Sequence, residues 1–70
     1  MIIKEIRKKS KEVIRASVTQ YRERMFCSIR IYFENDNGEW LPTKKGITFG
    51  LHLIDQVVEA LNAAKEIPDG

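Results

Sequence analysis

Seventy residues with 43% apolar content and a net charge of +2 describe one small folded domain rather than a disordered tail. A chain this short buries only about 60% of its unfolded surface. With Cys27 its only cysteine and His52 its only histidine, neither disulfides nor a metal cluster can make up the shortfall. Oligomerisation remains, and a homodimer is the expected form. The sequence has no apolar run near the ~20 residues that span a bilayer, and the charged start lacks the long apolar segment of a signal peptide. A cytoplasmic protein with no membrane partner is expected.

The small net charge conceals an asymmetry. Residues 1–30 carry nine Lys and Arg against three acids, or +6, and residues 31–70 carry three lysines against seven acids, or −4. A basic half on an otherwise balanced body suits a polyanion.

In chain order, residues 1–11 alternate apolar and charged groups without a clean face, which fits an edge strand or an ordered basic arm. Lys8-Lys9-Ser10-Lys11 reads as a solvated turn. Residues 12–21 alternate clearly. Ile14, Ala16 and Val18 form a core face, and Arg15, Ser17, Thr19 and Tyr21 a polar face that ends in an aromatic. Arg22-Glu23-Arg24 makes a short charged connection, a hairpin turn without the glycine that tight turns prefer. In residues 24–34, Met25, Cys27, Ile29 and Ile31 share the core parity, while Arg24, Ser28, Arg30 and Tyr32 lie opposite. Phe33 falls on the core parity, and a bulge after Arg30 would turn it outward.

Asn35-Asp36-Asn37-Gly38 is a dense turn signal, with Asn37-Gly38 expected to supply a positive-φ pair. A short third strand, Glu39 to Leu41, should stop at Pro42. Thr43-Lys44-Lys45-Gly46 reads as another turn, and Ile47 to Phe49 as the fourth strand. From Leu51 the period becomes helical through Ile54, Val57, Val58, Leu61 and Ala64, ending at Pro68-Asp69-Gly70. The expected architecture is α+β, a four-stranded curved antiparallel meander followed by one C-terminal helix. It forms a single domain over residues 1–70, with an arm or edge strand at 1–11, the sheet at 12–50 and the helix at 51–67. No nucleophile has a base beside it, so no catalytic, cofactor or metal site is expected.

The ordered set Ile14-Arg15-Ala16-Ser17-Val18, Tyr21, Ile29-Arg30-Ile31-Tyr32-Phe33, Gly38-Glu39-Trp40 and Pro42-Thr43-Lys44-Lys45-Gly46-Ile47-Thr48 resembles the transcriptional coactivator family called positive cofactor four. The resemblance covers about residues 8–66 and is strongest to the small bacterial and phage-type members. It implies the sheet-and-helix fold of single-stranded-DNA-binding transcriptional regulators, a homodimer, and binding of single-stranded or melted DNA with little sequence preference. It also implies the bacterial cytoplasm or a phage genome as the setting, and transcription or replication proteins as further partners. The family's stacking aromatics correspond to Tyr21 and Phe33, and its phosphate-contacting bases to Arg22, Arg24, Arg30, Lys44 and Lys45. Phe33 stands where the eukaryotic relative has tryptophan, and Thr19 and Glu12 where it is basic.

Arg15 and Tyr32, on the polar parity, complete the candidate set. Trp40 reads as structural, Cys27 as core and His52 as a surface residue of the first helical turn. The alternative function is a protein-interaction module that recruits a polymerase or another factor, with DNA binding secondary.

Overall fold

The computed structural model describes residues 1–68, so Asp69 and Gly70 of the expected helix stop lie outside the described residues. Four strands, β1 (Ile2–Lys9), β2 (Glu12–Tyr21), β3 (Arg24–Glu34) and β4 (Trp40–Gly50), form one antiparallel sheet in sequence order. A 3-10 turn, Leu51–Leu53, leads into α1, Ile54–Lys65. The expected α+β architecture holds, with its strands apportioned differently.

Residues 2–9 are a strand and not an arm. β1 pairs with β2 from Ile2 opposite Ser17 to Lys9 opposite Glu12, with register shifts that leave Ile3 and Lys8 as extra residues. The Met1 ammonium donates to the Val18 carbonyl at 2.8 Å, and Val18 N–H returns a bond to the Met1 carbonyl at 2.9 Å.

The expected third and fourth strands are one element. β4 runs unbroken through Pro42 and Gly46, so Lys44-Lys45 does not lie in a chain-reversing turn. Tyr32 pairs with Pro42 and Arg30 with Gly46, which sets Thr43, Lys44 and Lys45 against the single residue Ile31. This bulge replaces the turn. Thr43 holds it: its hydroxyl donates to the Ile31 carbonyl at 2.7 Å and accepts from Lys45 N–H at 3.1 Å. Pro42 is tolerated because β4 is an edge strand, with a ladder on one side only. Gly46 is required by close approach. A Cβ there would lie 2.6 Å from the Ile29 carbonyl oxygen and 2.7 Å from Arg30 Cα.

The two remaining hairpins solve their turns in different ways. Arg22 and Glu23 take φ of 51° and 66°, the left-handed pair of a two-residue turn, without glycine. In the Asn35–Glu39 loop only Gly38 has positive φ, at 81°, so the expected Asn37-Gly38 pair reduces to Gly38 alone. Gly38 N–H donates to the Asn35 carbonyl at 3.0 Å, and Asn35 Oδ1 accepts from Asn37 and Glu39 N–H at 2.9 and 3.0 Å. The loop is a three-residue turn with a glycine bulge, pinned by the Asn35 side chain.

Among the described residues only Val13 is a buried hydrophobic, at 4% exposure. The molecule is thin, 43 × 38 × 18 Å, and α1 has no buried residue. The helix begins at Ile54 rather than Leu51, because Leu51–Leu53 closes as a 3-10 turn after extended Gly50. That helix is too short and too polar to cross a membrane.

Candidate nucleic-acid interface

Strand register decides which side chains share a face, because directly opposed residues of a sheet point the same way. One face carries Arg15 opposite Arg30, Ser17 opposite Ser28, Thr19 opposite Phe26, and Tyr21 opposite Arg24, with Tyr32 opposite Val13. β4 extends it with Gly46 beside Arg30 and Thr48 beside Ser28, where the Thr48 hydroxyl lies 3.4 Å from Ser28 Oγ. The other face is apolar: Ile14, Ala16 and Val18 from β2, Cys27, Ile29, Ile31 and Phe33 from β3, and Leu41, Ile47 and Phe49 from β4.

The polar face therefore gathers Arg15, Tyr21, Arg24, Arg30 and Tyr32 from the candidate set. Arg15 is largely committed within the fold. Its Nε donates to Glu5 Oε2 across the β1–β2 pair, and its guanidinium carbon sits 4.5 Å from the centroid of the Tyr32 ring. That cation–π contact holds the Tyr32 ring against a charged partner. Arg30 spends one N–H on the Thr43 carbonyl at 3.0 Å, so it braces the bulge and keeps its remaining donors. At the hairpin tip Tyr21 is 61% exposed, with the Arg22 guanidinium 5.2 Å from its ring centroid. Arg22 and Arg24 are exposed beside it. A flat ring flanked by cations is what an unpaired base and its phosphates require.

Phe33 does not join them. It lies on the apolar face, 39% exposed, opposite Glu12 and next to Leu41. The register shift after Arg30 adds two residues to β4 and none to β3, so it leaves the parity of Phe33 unchanged. Tyr21 stands opposite Arg24 and Phe33 opposite Glu12, nine residues further along the hairpin. At ~3.3 Å per residue the two rings are separated by roughly 30 Å. They mark two ends of a surface rather than one stacking pair.

Lys44 and Lys45 are exposed on the β4 bulge. Lys45 and Gly46 border a shallow depression lined with Ile14, Ile29, Arg30 and Ile31, which sets Lys45 toward the apolar face. Trp40 opens β4 opposite Glu34 and is half-buried. Cys27 is a half-buried free thiol on the apolar face, and His52 lies exposed in the 3-10 turn.

One cluster was not apparent in the sequence. Lys8 Nζ meets Glu12 Oε1 at 3.1 Å, and that hydrogen bond, with the fields of Lys8, Lys9 and Lys45, holds the Glu12 carboxyl below the usual carboxylate range. The signal was present as Lys8 and Glu12 on either side of a two-residue turn, but it reads as an ordinary solvated loop until the register is known.

An open antiparallel sheet with a basic, aromatic face and a single trailing helix defines a small nucleic-acid-binding module. The chain belongs to the transcriptional coactivator p15 (PC4) family, whose profile matches residues 8–60. Among solved structures it is similar to a PC4 homologue from Burkholderia pseudomallei. In the orthorhombic crystal form of that protein the identity is 28% and the TM-score 0.90, over 97% of this chain and 92% of that one. The tetragonal form gives 29% and 0.89, over 94% and 97%. It is also similar to a bacteriophage T5 homologue of the eukaryotic coactivator, described as implicated in recombination-dependent DNA replication. There the identity is 29% and the TM-score 0.76, over 91% of this chain and 74% of that one. No curated protein sequence matches the chain.

Proposed function

We propose that the protein is a homodimeric, sequence-tolerant binder of single-stranded or melted DNA. It serves as a transcriptional coactivator or regulator, or handles unwound DNA, in a bacterial or phage-infected cytoplasm. The observation that carries this reading is the hairpin tip, where exposed Tyr21 stands among Arg22 and Arg24 on the face that continues through Arg30 and Tyr32. Each unpaired base offers a π-face to such rings whatever its identity, while the guanidinium groups neutralise phosphates. The role is binding rather than catalysis. Transcription or replication proteins are the natural further partners, since the T5 homologue is implicated in replication.

The dimer is supported by surface area. The chain exposes 5982 Å². A compact monomer of this mass would expose about 4,500 Å². The excess, roughly 1,500 Å², is of the order that one partner of a large, permanent interface buries. Val58 and Leu61 of α1 and Ile47 of β4, 46%, 57% and 55% exposed, are candidates for that seam.

A salt titration with an oligo-dT strand and a matched duplex tests the binding. The expected result is preference for the single strand, with log affinity falling by about 0.7 per phosphate contact for each unit of log salt. Micromolar or weaker binding without preference for the single strand would overturn it in favour of a protein-recruitment module.

A further inference from the structure

The loop that joins β3 to β4 contains the only Asn-Gly step of the sequence, Asn37-Gly38. An asparagine followed by glycine can react with its own backbone, because the next residue has no side chain to keep its amide nitrogen from the Asn carboxamide carbon. Asn37 and Gly38 are exposed, and a Cβ at Gly38 would meet nothing nearer than Glu34 Oε2, 3.9 Å away. Water and hydroxide therefore reach the reacting atoms. The other asparagines lack this opening. Asn35 is half-buried and precedes Asp36, and Asn62 precedes Ala63 inside α1.

Asn35 clamps this loop with five hydrogen bonds. Its N–H donates to the Glu39 carbonyl at 2.8 Å, and its carbonyl accepts from Gly38 N–H at 3.0 Å. Its Oδ1 accepts from Asn37 N–H and Glu39 N–H at 2.9 and 3.0 Å, and its Nδ2 donates to Glu39 Oε1 at 3.3 Å. Ring closure requires the Gly38 nitrogen to lose its proton and swing towards Asn37 Cγ. Both steps break its bond to the Asn35 carbonyl, and the swing also strains the bond from Asn37 N–H to Oδ1. Each bond given up raises the barrier.

We infer that Asn37 is a modification site at which the chain deamidates spontaneously, and that the Asn35 clamp sets the rate. Hydroxide removes the Gly38 amide proton, and the nitrogen attacks Asn37 Cγ. The new N–Cγ bond replaces the Cγ–Nδ2 bond, and ammonia leaves with a proton taken from water. Water then opens the cyclic imide. Cleavage at Cγ gives aspartate, and cleavage at the Asn37 backbone carbonyl gives isoaspartate, whose main chain is longer by a carbon. The balance is amide plus water to carboxylate plus ammonium, with no oxidant or reductant. Either product sets a new carboxylate among Glu34, Asp36 and Glu39. Isoaspartate also lengthens the loop that the Glu34–Trp40 pair has to close. Modification thus loosens the β3–β4 hairpin, and a hairpin that opens releases Asn37 to react.

The test holds the purified full chain at neutral and mildly alkaline pH, folded or in urea. The tryptic peptide 31–44 is followed by mass spectrometry, with its two acidic products separated by chromatography. Conversion at Asn37 should be fastest in urea, rise with pH, and run several-fold slower in the folded chain. Asn35→Ala, with its fold checked by circular dichroism, should react roughly five- to 150-fold faster than folded wild type, the range of two net hydrogen bonds, up to the rate of the unfolded chain. Asn35→Asp, which keeps an Oδ acceptor, should stay close to wild type. Aged wild type should melt below fresh protein, whereas Asn37→Ser should age without change. No acid formed at Asn37 in urea would remove the site. Equal rates for folded and unfolded wild type, or for wild type and a folded Asn35→Ala, would overturn the clamp. The urea comparison decides the matter even where Asn35→Ala does not fold.

Discussion

The two rings at the ends of the hairpin differ in what surrounds them, and that difference makes separate claims on each residue. Tyr21 is 61% exposed, at a strand end, with Arg22 over its ring. Its side chain packs little, so its removal acts on the ligand and not on the fold. Base–aromatic stacking is worth about 1–3 kcal/mol by alanine substitution, so Tyr21→Ala should lower oligo-dT affinity roughly five- to 150-fold. Tyr21→Phe, which keeps the ring, should bind within about twofold of wild type, and both melting temperatures should stay close to wild type. An unchanged affinity for Tyr21→Ala would remove stacking at the hairpin tip. Phe33 shares its face with Ile14, Ile31 and Leu41, so its replacement mixes packing with binding and is the poorer probe. Arg15 is likewise a weak probe of phosphate contact, because Glu5 and the Tyr32 ring already hold it.

Turns and bulges form the next scale, and their positions mark where local sequence and the long-range ladder disagree. Gly46 and Glu23 have opposite problems. Gly46 has no room for a side chain, since a Cβ would press on Ile29 and Arg30 backbone atoms at 2.6 and 2.7 Å, so Gly46→Ala should cost about 1–3 kcal/mol in a urea titration. Glu23 has room but a φ of 66°, a conformation that costs an L-residue about 1–2 kcal/mol, so Glu23→Gly should stabilise by about 1 kcal/mol. Opposite signs for two glycine-related changes are the expected outcome. Equal signs would discredit one of the two backbone readings. The strands β2 and β3 were legible because each alternates over ten or more residues against a face that must be apolar. The break in β4 was misread for a definite reason. Pro42 and Lys-Lys-Gly are turn signals locally, and only the pairing of Tyr32 with Pro42 and Arg30 with Gly46 shows that the chain bulges and continues. The division of the candidate site over two faces was half legible, since the core parity of Phe33 was visible. The meeting of Lys8 and Lys9 with Glu12 depends on β1 being a strand and was not.

At the scale of the whole molecule, the chain has too little interior to account for its own order. One buried hydrophobic among the described residues, Val13, and a radius of gyration of 14.0 Å describe an open plate with an attached helix. A compact chain of this length would have a radius near 11 Å. Each face of such a plate loses water only where something else covers it, and α1 has no buried residue and leaves Val58 and Leu61 half exposed. If a second copy covers it, folding and association are one equilibrium, and the melting temperature must rise with protein concentration. A hundredfold dilution should then lower it by about 5–10 °C, since that change is worth about 2.7 kcal/mol per dimer, roughly 1.4 kcal/mol per chain, and 1 kcal/mol moves a domain of this size by about 4–8 °C. Sedimentation should give twice the chain mass at micromolar concentration. Leu61→Asp, which buries a carboxylate in the proposed seam, should shift the population towards monomer and lower the melting temperature, whereas Lys65→Asp at the solvated end of α1 should do neither. A concentration-independent melt at monomer mass would overturn the dimer. The strand would then have to be bound by a single plate, with Tyr21 and Phe33 on opposite faces of it.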